Sequence, residues 1–377
     1  MKQIINRGSF LTLMFMLLGC LSLYAADNNL ITKQITIQLE KAGTLPDRIG
    51  SSRKYTITNL KIIGEINGTD LKMIREMAGS DYRGNSTDGK LSVLDLSEAK
   101  IVEGGNYYYS ENYYSNFHYT SNDVIGSYAF YGCSGLTSLT LPARITSIGG
   151  HAFEGCSGLT SLTLPAGITS IGGHAFEGCS GLTSLTLPAG ITSIGSGAFR
   201  YCSGLTSLTL PAGITSIAYD AFSGCSGLTS LTLPAGITSI DDGAFEGCCG
   251  LTSLTLPAGI TEIGSGAFCR CSGLTSIYVY AEKVPKIGSD VFVGVDAKKC
   301  TLYVPMGTYD DYWLSDFGYY FENIVEFDAT GIDKTTTSTD VEEVARYSVN
   351  GQRLSAPTKG LNIVKYSDGS VKKVAVR

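Results

Sequence analysis

Leu159-Thr-Ser-Leu162-Thr-Leu164-Pro165-Ala-Gly-Ile168-Thr-Ser-Ile171, followed by Ala175-Phe176 and Cys179, is the stretch on which the fold turns. The same text returns every 23 residues. Phe130, Phe153, Phe176, Phe199, Phe222, Phe245 and Phe268 keep that spacing, and Cys133, Cys156, Cys179, Cys202, Cys225, Cys248 and Cys271 follow three residues behind. Leu162 and Leu164 alternate with Ser161 and Thr163, the period-two signature of a short strand. Pro165 has no N–H to donate and ends that strand, and the glycines that follow turn the chain. One such unit cannot bury its Leu, Ile and Phe alone, so neighbouring units must supply its core.

A period of 23 falls within the leucine-rich-repeat range. The predicted fold class is therefore an α/β-type repeat solenoid, a leucine-rich repeat array of 23-residue coils with a parallel concave β-sheet, terminal caps and a small C-terminal β module. Degenerate units extend it: Leu91-Ser-Val-Leu94-Asp-Leu96 and Leu60-Lys-Ile62 upstream, Leu302-Tyr-Val304-Pro305 downstream, after a longer coil through Val284, Ile287 and Phe292. Tyr309, Tyr312, Trp313, Phe317, Tyr319, Tyr320 and Phe321 read as an aromatic lid on the last coil.

The unit I-G-x-x-A-F-x-G-C-S-G-L-T-S-L-T-L-P resembles the BspA-like leucine-rich repeats of bacterial surface proteins over seven coils, Ile125 to Ile277. Flanking text is similar too: Gly64-Glu-Ile-Asn-Gly-Thr-Asp70 and Leu94-Asp-Leu96-Ser97 before the array, Tyr320-Phe-Glu-Asn-Ile-Val-Glu326 after it. The tail, from Tyr347-Ser-Val-Asn-Gly351-Gln-Arg353 through Lys359-Gly-Leu-Asn-Ile-Val364 to Lys372-Lys-Val-Ala-Val-Arg377, resembles a type IX secretion sorting domain. The resemblance implies a surface adhesin for host or bacterial partners and offers no catalytic residues.

Six segments follow. Residues 1–26 read as an export signal, with Lys2 and Arg7 before an apolar run from Phe10 to Leu18 and small residues at Ala25 and Ala26. Leu17-Leu18-Gly19-Cys20 also resembles a lipoprotein box, which would anchor Cys20 to a membrane, so ordinary cleavage and lipidation both stand. Residues 27–124 form an N-terminal cap with degenerate repeats and a Tyr-rich insertion, 125–280 the repeats, and 281–327 the last repeat and aromatic cap. A linker, 328–345, leads to the β module, 346–377. Alternation in residues 361–366 and 371–376 about Ser367-Asp-Gly-Ser370 predicts a hairpin there.

Charge supports a binding role over chemistry. Only 16% of the 377 residues are charged and there are three His, against about 25% charged in average domains. The net charge of −6 leaves no basic footprint for nucleic acid. It hides a basic tail: residues 346–377 hold seven basic residues and one acidic, so the remainder carries −12.

Candidate binding residues come from two places. The insertion Asn106-Tyr-Tyr-Tyr-Ser-Glu-Asn-Tyr-Tyr-Ser-Asn-Phe-His-Tyr119 should project as a loop carrying Tyr107, Tyr108, Tyr109, Tyr113, Tyr114, Phe117 and Tyr119. Tyr, Ser and Asn are what binding loops use, though the same residues would serve as a cap folded onto the first coils. On the sheet, Ser161, Thr163, Ser184, Thr186, Ser207 and Thr209 should stack into uncharged hydroxyl rows, with Tyr278 at one end. Such rows suit an extended polymer held by many weak contacts; they are equally what duplication of a β-compatible polar residue leaves behind.

Other features are weaker. His151 and His174 sit on glycine turns near Glu154 and Glu177, where solvation explains them as well as a metal or a pH sensor does. The repeated Cys reads as a small packing residue. Cys249, Cys269 and Cys300 break the pattern, and a Cys249–Cys269 bridge is one expectation. Gly84-Asn-Ser-Thr-Asp-Gly89-Lys90 has phosphate-loop spacing but carries Leu91 where Ser or Thr is required, and it precedes a strand. No catalytic site, metal or cofactor is expected. The leading reading is an exported cell-surface or secreted module that binds a protein or glycan, without nucleic acid, and attached to a membrane only through Cys20 or the sorting domain. The alternative is a structural spacer or self-associating surface component.

Overall fold

The computed structural model describes residues 30–112, 115–329, 343–348, 353–354, 356, 359–366 and 371–376. The expected export signal and Cys20 lie outside these residues, as do Tyr113, Tyr114 and 330–342 of the linker.

The array is a parallel β-solenoid with the 23-residue spacing read from the sequence. Most coils give not one strand but two, which corrects the single-sheet expectation. The Ser-Leu-Thr strands form the first ladder. Ile35–Leu39, Asn59–Ile66, Val93–Ile101, Ser138–Thr140 and Ser161–Thr163 make one sheet, Ser207–Thr209 pairs with Ser230–Thr232, and Ser253–Leu256 leads through Ser276–Val279 and Thr301–Pro305 to Asn323–Phe327. Between the first two groups, residues 184–187 have no strand assignment. The second ladder uses Ile-Thr-Ser-Ile: Val124–Ile125, Ser147–Ile148, Ser170–Ile171 and Ser193–Ile194, then Ser216–Ile217, Ser239–Ile240, Glu262–Ile263 and Lys286–Ile287. Pairing is in register, Leu208 on Leu231 and Ile171 on Ile194. The Thr before most strands adds a side-chain rung: Thr160 Oγ1 donates to the Thr137 carbonyl at 3.1 Å, and Thr238 Oγ1 to that of Thr215 at 3.2 Å.

The Phe column is the core. Rings from Phe130 to Phe292 stack coil on coil with centroids 5.1–5.8 Å apart and planes within 3–9° of parallel. Each Cys thiol is buried beside it and does more than fill space. Cys202 Sγ donates to the Phe176 carbonyl at 3.1 Å, and the same bond joins Cys156 to Phe130 and Cys271 to Phe245. The glycine after each Cys-Ser marks a close approach: a Cβ on Gly204 would lie 2.3 Å from the Ser180 carbonyl oxygen.

Burial pushes the thiols up, Cys225 and Cys271 to about 12 from an ordinary 9.0. Below pH 9 folded and unfolded chains both keep these protons, so stability does not depend on them. Above it only the unfolded chain releases them, and stability is expected to fall from about pH 9 towards 12. Urea midpoints at pH 7, 9 and 10.5 check this; a flat profile overturns it. Native alkylation should reach Cys249 and Cys269 and spare the eight buried cysteines among the described residues.

Both ends are capped. Upstream, helix Gly68–Met77 begins at Asn67, whose side chain accepts from the Thr69 N–H. Asp70 is buried and takes the N–H groups of Asn67, Gly43 and Leu45. Arg75 is wholly buried, and its guanidinium donates to the carbonyls of Tyr128, Ala129, Asp81 and Tyr131. Downstream, the expected lid is present as helices Tyr309–Trp313 and Asp316–Tyr320. Phe317, Tyr320 and Phe321 meet the last ring, Phe292, at 5.0–5.9 Å, and the Tyr312 hydroxyl donates to the Ala281 carbonyl. In the tail, Gly360–Tyr366 pairs antiparallel with Val371–Val376, the hairpin read from the sequence, inside a four-stranded sheet that begins at Glu343.

Candidate ligand-binding surfaces

The Tyr-rich insertion does not project as a free loop. It is a hairpin, Gly104–Asn112 against Ser115–Thr120, with Tyr109 opposite His118 and Ser110 opposite Phe117. Its first strand packs on helix Gly68–Met77, and this divides its tyrosines. Tyr108 is buried, its hydroxyl donating to the Ser127 carbonyl at 2.8 Å. Tyr109 is buried too, stacked on Tyr128 with the Arg75 guanidinium 5.0 Å from its ring centre. Burial raises both phenols, Tyr109 to about 12. These two residues are thus removed from any ligand surface by packing, because an array that starts in water must cover its first coil.

Tyr107, Phe117 and Tyr119 turn the other way. Tyr107 is half-buried, 4.7 Å from Phe117, 6.4 Å from Tyr119 and 5.7 Å from Tyr82 by ring centres. Phe117 and Tyr119 are exposed at 39% and 53%. Lys72 Nζ lies 4.1 Å from the Tyr82 centroid and 4.9 Å from that of Tyr107, and Arg83 lies over the Tyr82 ring. The result is an aromatic platform with cations at its border. Sequence reading found the insertion but not Lys72, Tyr82 or Arg83. No local pattern marks them, since helix and turn meet the hairpin only through the fold.

The hydroxyl rows are present. Ser161, Thr163, Ser184, Thr186, Ser207 and Thr209 are all exposed, with buried Leu162, Leu185 and Leu208 between them. Where residues 184–187 leave the strand ladder, Ser161, Thr163, Ser184 and Thr186 line a depression of about 370 Å³ with Leu164 and Pro188. Tyr278 closes the Thr row as expected, stacked on Tyr303 at 4.4 Å with Phe327 edge-on.

A third surface runs along the turns. His151 stacks between Tyr128 and His174 at 4.7 and 4.9 Å, and each His bonds its own Glu, Glu154 or Glu177. All three rings stand at a left-handed position that recurs in every coil. The next coil has Gly197 there, where a Cβ would lie 2.5 Å from His174 Nδ1. Among the described residues no three His, Cys, Asp or Glu are grouped to hold a metal. Cys249 and Cys269, whose pairing the sequence left open, are both free thiols. Cys249 Sγ faces the Ser226 carbonyl and Cys269 stands over Gly266, so the two side chains occupy different parts of the turn. Among the described residues no helix is long and apolar enough to cross a membrane.

A family of repeat proteins agrees with this architecture. The BspA type leucine rich repeat region matches residues 103–210 and 192–315, in six copies. A leucine rich cell surface protein from Faecalibacterium prausnitzii is 35% identical over 46% of this chain, with a TM-score of 0.41. The match covers 46% of that protein, so this chain spans about half its length. A T. pallidum leucine rich repeat protein is 35% identical over 40% of this chain and 71% of its own, TM-score 0.37. One from Bacteroides ovatus is 25% identical over 58% and 67%, TM-score 0.39. No curated protein matches. The family match indicates no catalytic family.

Proposed function

The chain belongs to the BspA type leucine-rich repeat family, and from that premise we propose that it works at the cell surface as a binding module for an extracellular protein or glycan, without catalysis. One observation carries the choice of site: the platform of half-buried Tyr107 with exposed Phe117 and Tyr119, bordered by Tyr82, Lys72 and Arg83. Exposed aromatic rings in a cluster are costly to leave in water and are the side chains that dominate recognition. Fixed by a hairpin on a rigid cap, they would bind with little loss of conformational entropy. The exposed hydroxyl rows offer a second, weaker contact for an extended ligand.

A screen of the chain against glycans and extracellular-matrix proteins tests this reading. Once a ligand is found, Phe117→Ala with Tyr119→Ala should weaken it about tenfold or more, the effect of losing about 1.4 kcal/mol. Both side chains are exposed, so the fold should survive. Unchanged affinity moves the site to the hydroxyl rows. The uniformity of those rows, Ser and Thr in coil after coil, favours the spacer reading instead, and a chain that binds nothing in the screen supports it.

A further inference from the structure

The C-terminal end of the solenoid presents exposed apolar residues among acidic ones. Trp313, Leu314 and Tyr319 are exposed at 47%, 83% and 86%, and Met306 and Val325 are exposed beside them in sequence. These residues belong to the two cap helices, the turn before them and the last strand. Among the described residues that strand, Asn323–Phe327, is paired on one side only, with Thr301–Pro305. Residues 306–329 also hold Asp310, Asp311, Asp316, Glu322, Glu326 and Asp328, with no Lys or Arg. Single exposed apolar residues need no explanation, but several on one small cap mark a docking surface.

The chain carries a complement to it. Residues 346–377 hold seven basic residues and one acidic. Their strands, Glu343–Ser348, Arg353–Leu354, Gly360–Tyr366 and Val371–Val376, form a single antiparallel sheet in which Val364 and Arg346 are buried. Fifteen residues, 328–342, separate it from the cap. They span at most about 50 Å, which confines the tail near the cap at an effective concentration in the millimolar range. We propose that the basic C-terminal sheet docks on the acidic aromatic end of its own solenoid, covering Trp313 and Leu314. Opposite charge steers the contact and apolar burial holds it.

Trp313 is the only tryptophan in the chain, so its fluorescence reads this surface directly. A full-length chain with a specific protease site placed within residues 333–339 is compared intact and after cleavage and removal of the tail. Acrylamide quenching of Trp313 should be several-fold weaker in the intact chain, unchanged by tenfold dilution, and raised to the cleaved level by 1 M salt, where charges are screened beyond about 3 Å. Lys372→Glu with Lys373→Glu in the tail should act like cleavage, and so should Glu322→Lys on the cap, which leaves the tail intact. Lys298→Glu with Lys299→Glu, outside both surfaces, should change nothing. Equal quenching in intact, cleaved and charge-reversed chains overturns the proposal. So does protection that fades on dilution, which would assign the surface to a second copy.

Discussion

Arg75→Met is expected to destabilise the N-terminal third of the solenoid by about 3 kcal/mol or more. Along the array, each turn donates forward: Phe153 N–H to the Ala175 carbonyl and Gly155 N–H to that of Glu177. The equivalent carbonyls of the first coil, Ala129 and Tyr131, have no preceding coil to supply those donors. Arg75 supplies them, Nη1 to Ala129 at 3.2 Å and Nη2 to Tyr131 at 3.1 Å, and the same two nitrogens also donate to Tyr128 and Asp81. One guanidinium thus stands in for the backbone of an absent coil. Methionine fills the volume but orphans the buried Ala129 carbonyl and three part-buried ones, and each buried group left unpaired costs about 1–3 kcal/mol. Arg75→Lys keeps the charge, yet an ammonium lacks the planar fork that reaches both carbonyls at once, so it should recover only part of the loss. Hydrogen exchange would locate the effect. Amides in helix Gly68–Met77 and around Phe130 should lose protection while those around Phe245 keep it, because each coil leans only on its neighbours. An unchanged urea midpoint would sink the idea.

That role explains what the sequence could and could not disclose. The 23-residue spacing of Phe130 to Phe268 was enough to place the core, because a solenoid repeats one local solution and every coil restates it. The aromatic lid and the 360–376 hairpin were legible for a similar reason, since each is a short-range pattern. The second ladder was not, because Ser170-Ile171 is too short to show a period. Strand Ile35–Leu39 lies before any recognisable repeat and is defined only by its pairing with Asn59–Ile66. Arg75 and Lys72 look like ordinary helix cations until the fold brings the turn at Tyr128 to one and the ring of Tyr82 to the other. The Tyr-rich insertion shows the limit most plainly. Composition left it as a binding loop or a cap folded onto the first coils, and packing against the first coil divides its residues between the two, with Tyr108 and Tyr109 in the cap.

Phe199→Ala should be the most damaging change inside the array, at about 3–5 kcal/mol. Its ring is wholly buried between Phe176 and Phe222, with centres 5.2 and 5.3 Å away. The cavity left behind cannot close, because coil spacing is fixed by backbone bonds that the substitution leaves intact. Phe199 N–H still donates to the Ala221 carbonyl, and its own carbonyl still takes the Cys225 thiol. The large end of the range follows, since the penalty grows with the volume that neighbours fail to refill. Position matters as well. In a one-dimensional array stability is a sum over coils and their interfaces, and a weakened central interface uncouples the two halves. Denaturation of Phe199→Ala should therefore proceed in two steps, with fluorescence from Trp313 following the C-terminal block alone. Phe130→Ala, at the end of the column with one stacked Phe neighbour, should cost less and keep a single transition. Equal costs for the two substitutions, with one step each, would show that the column does not carry the coupling between coils.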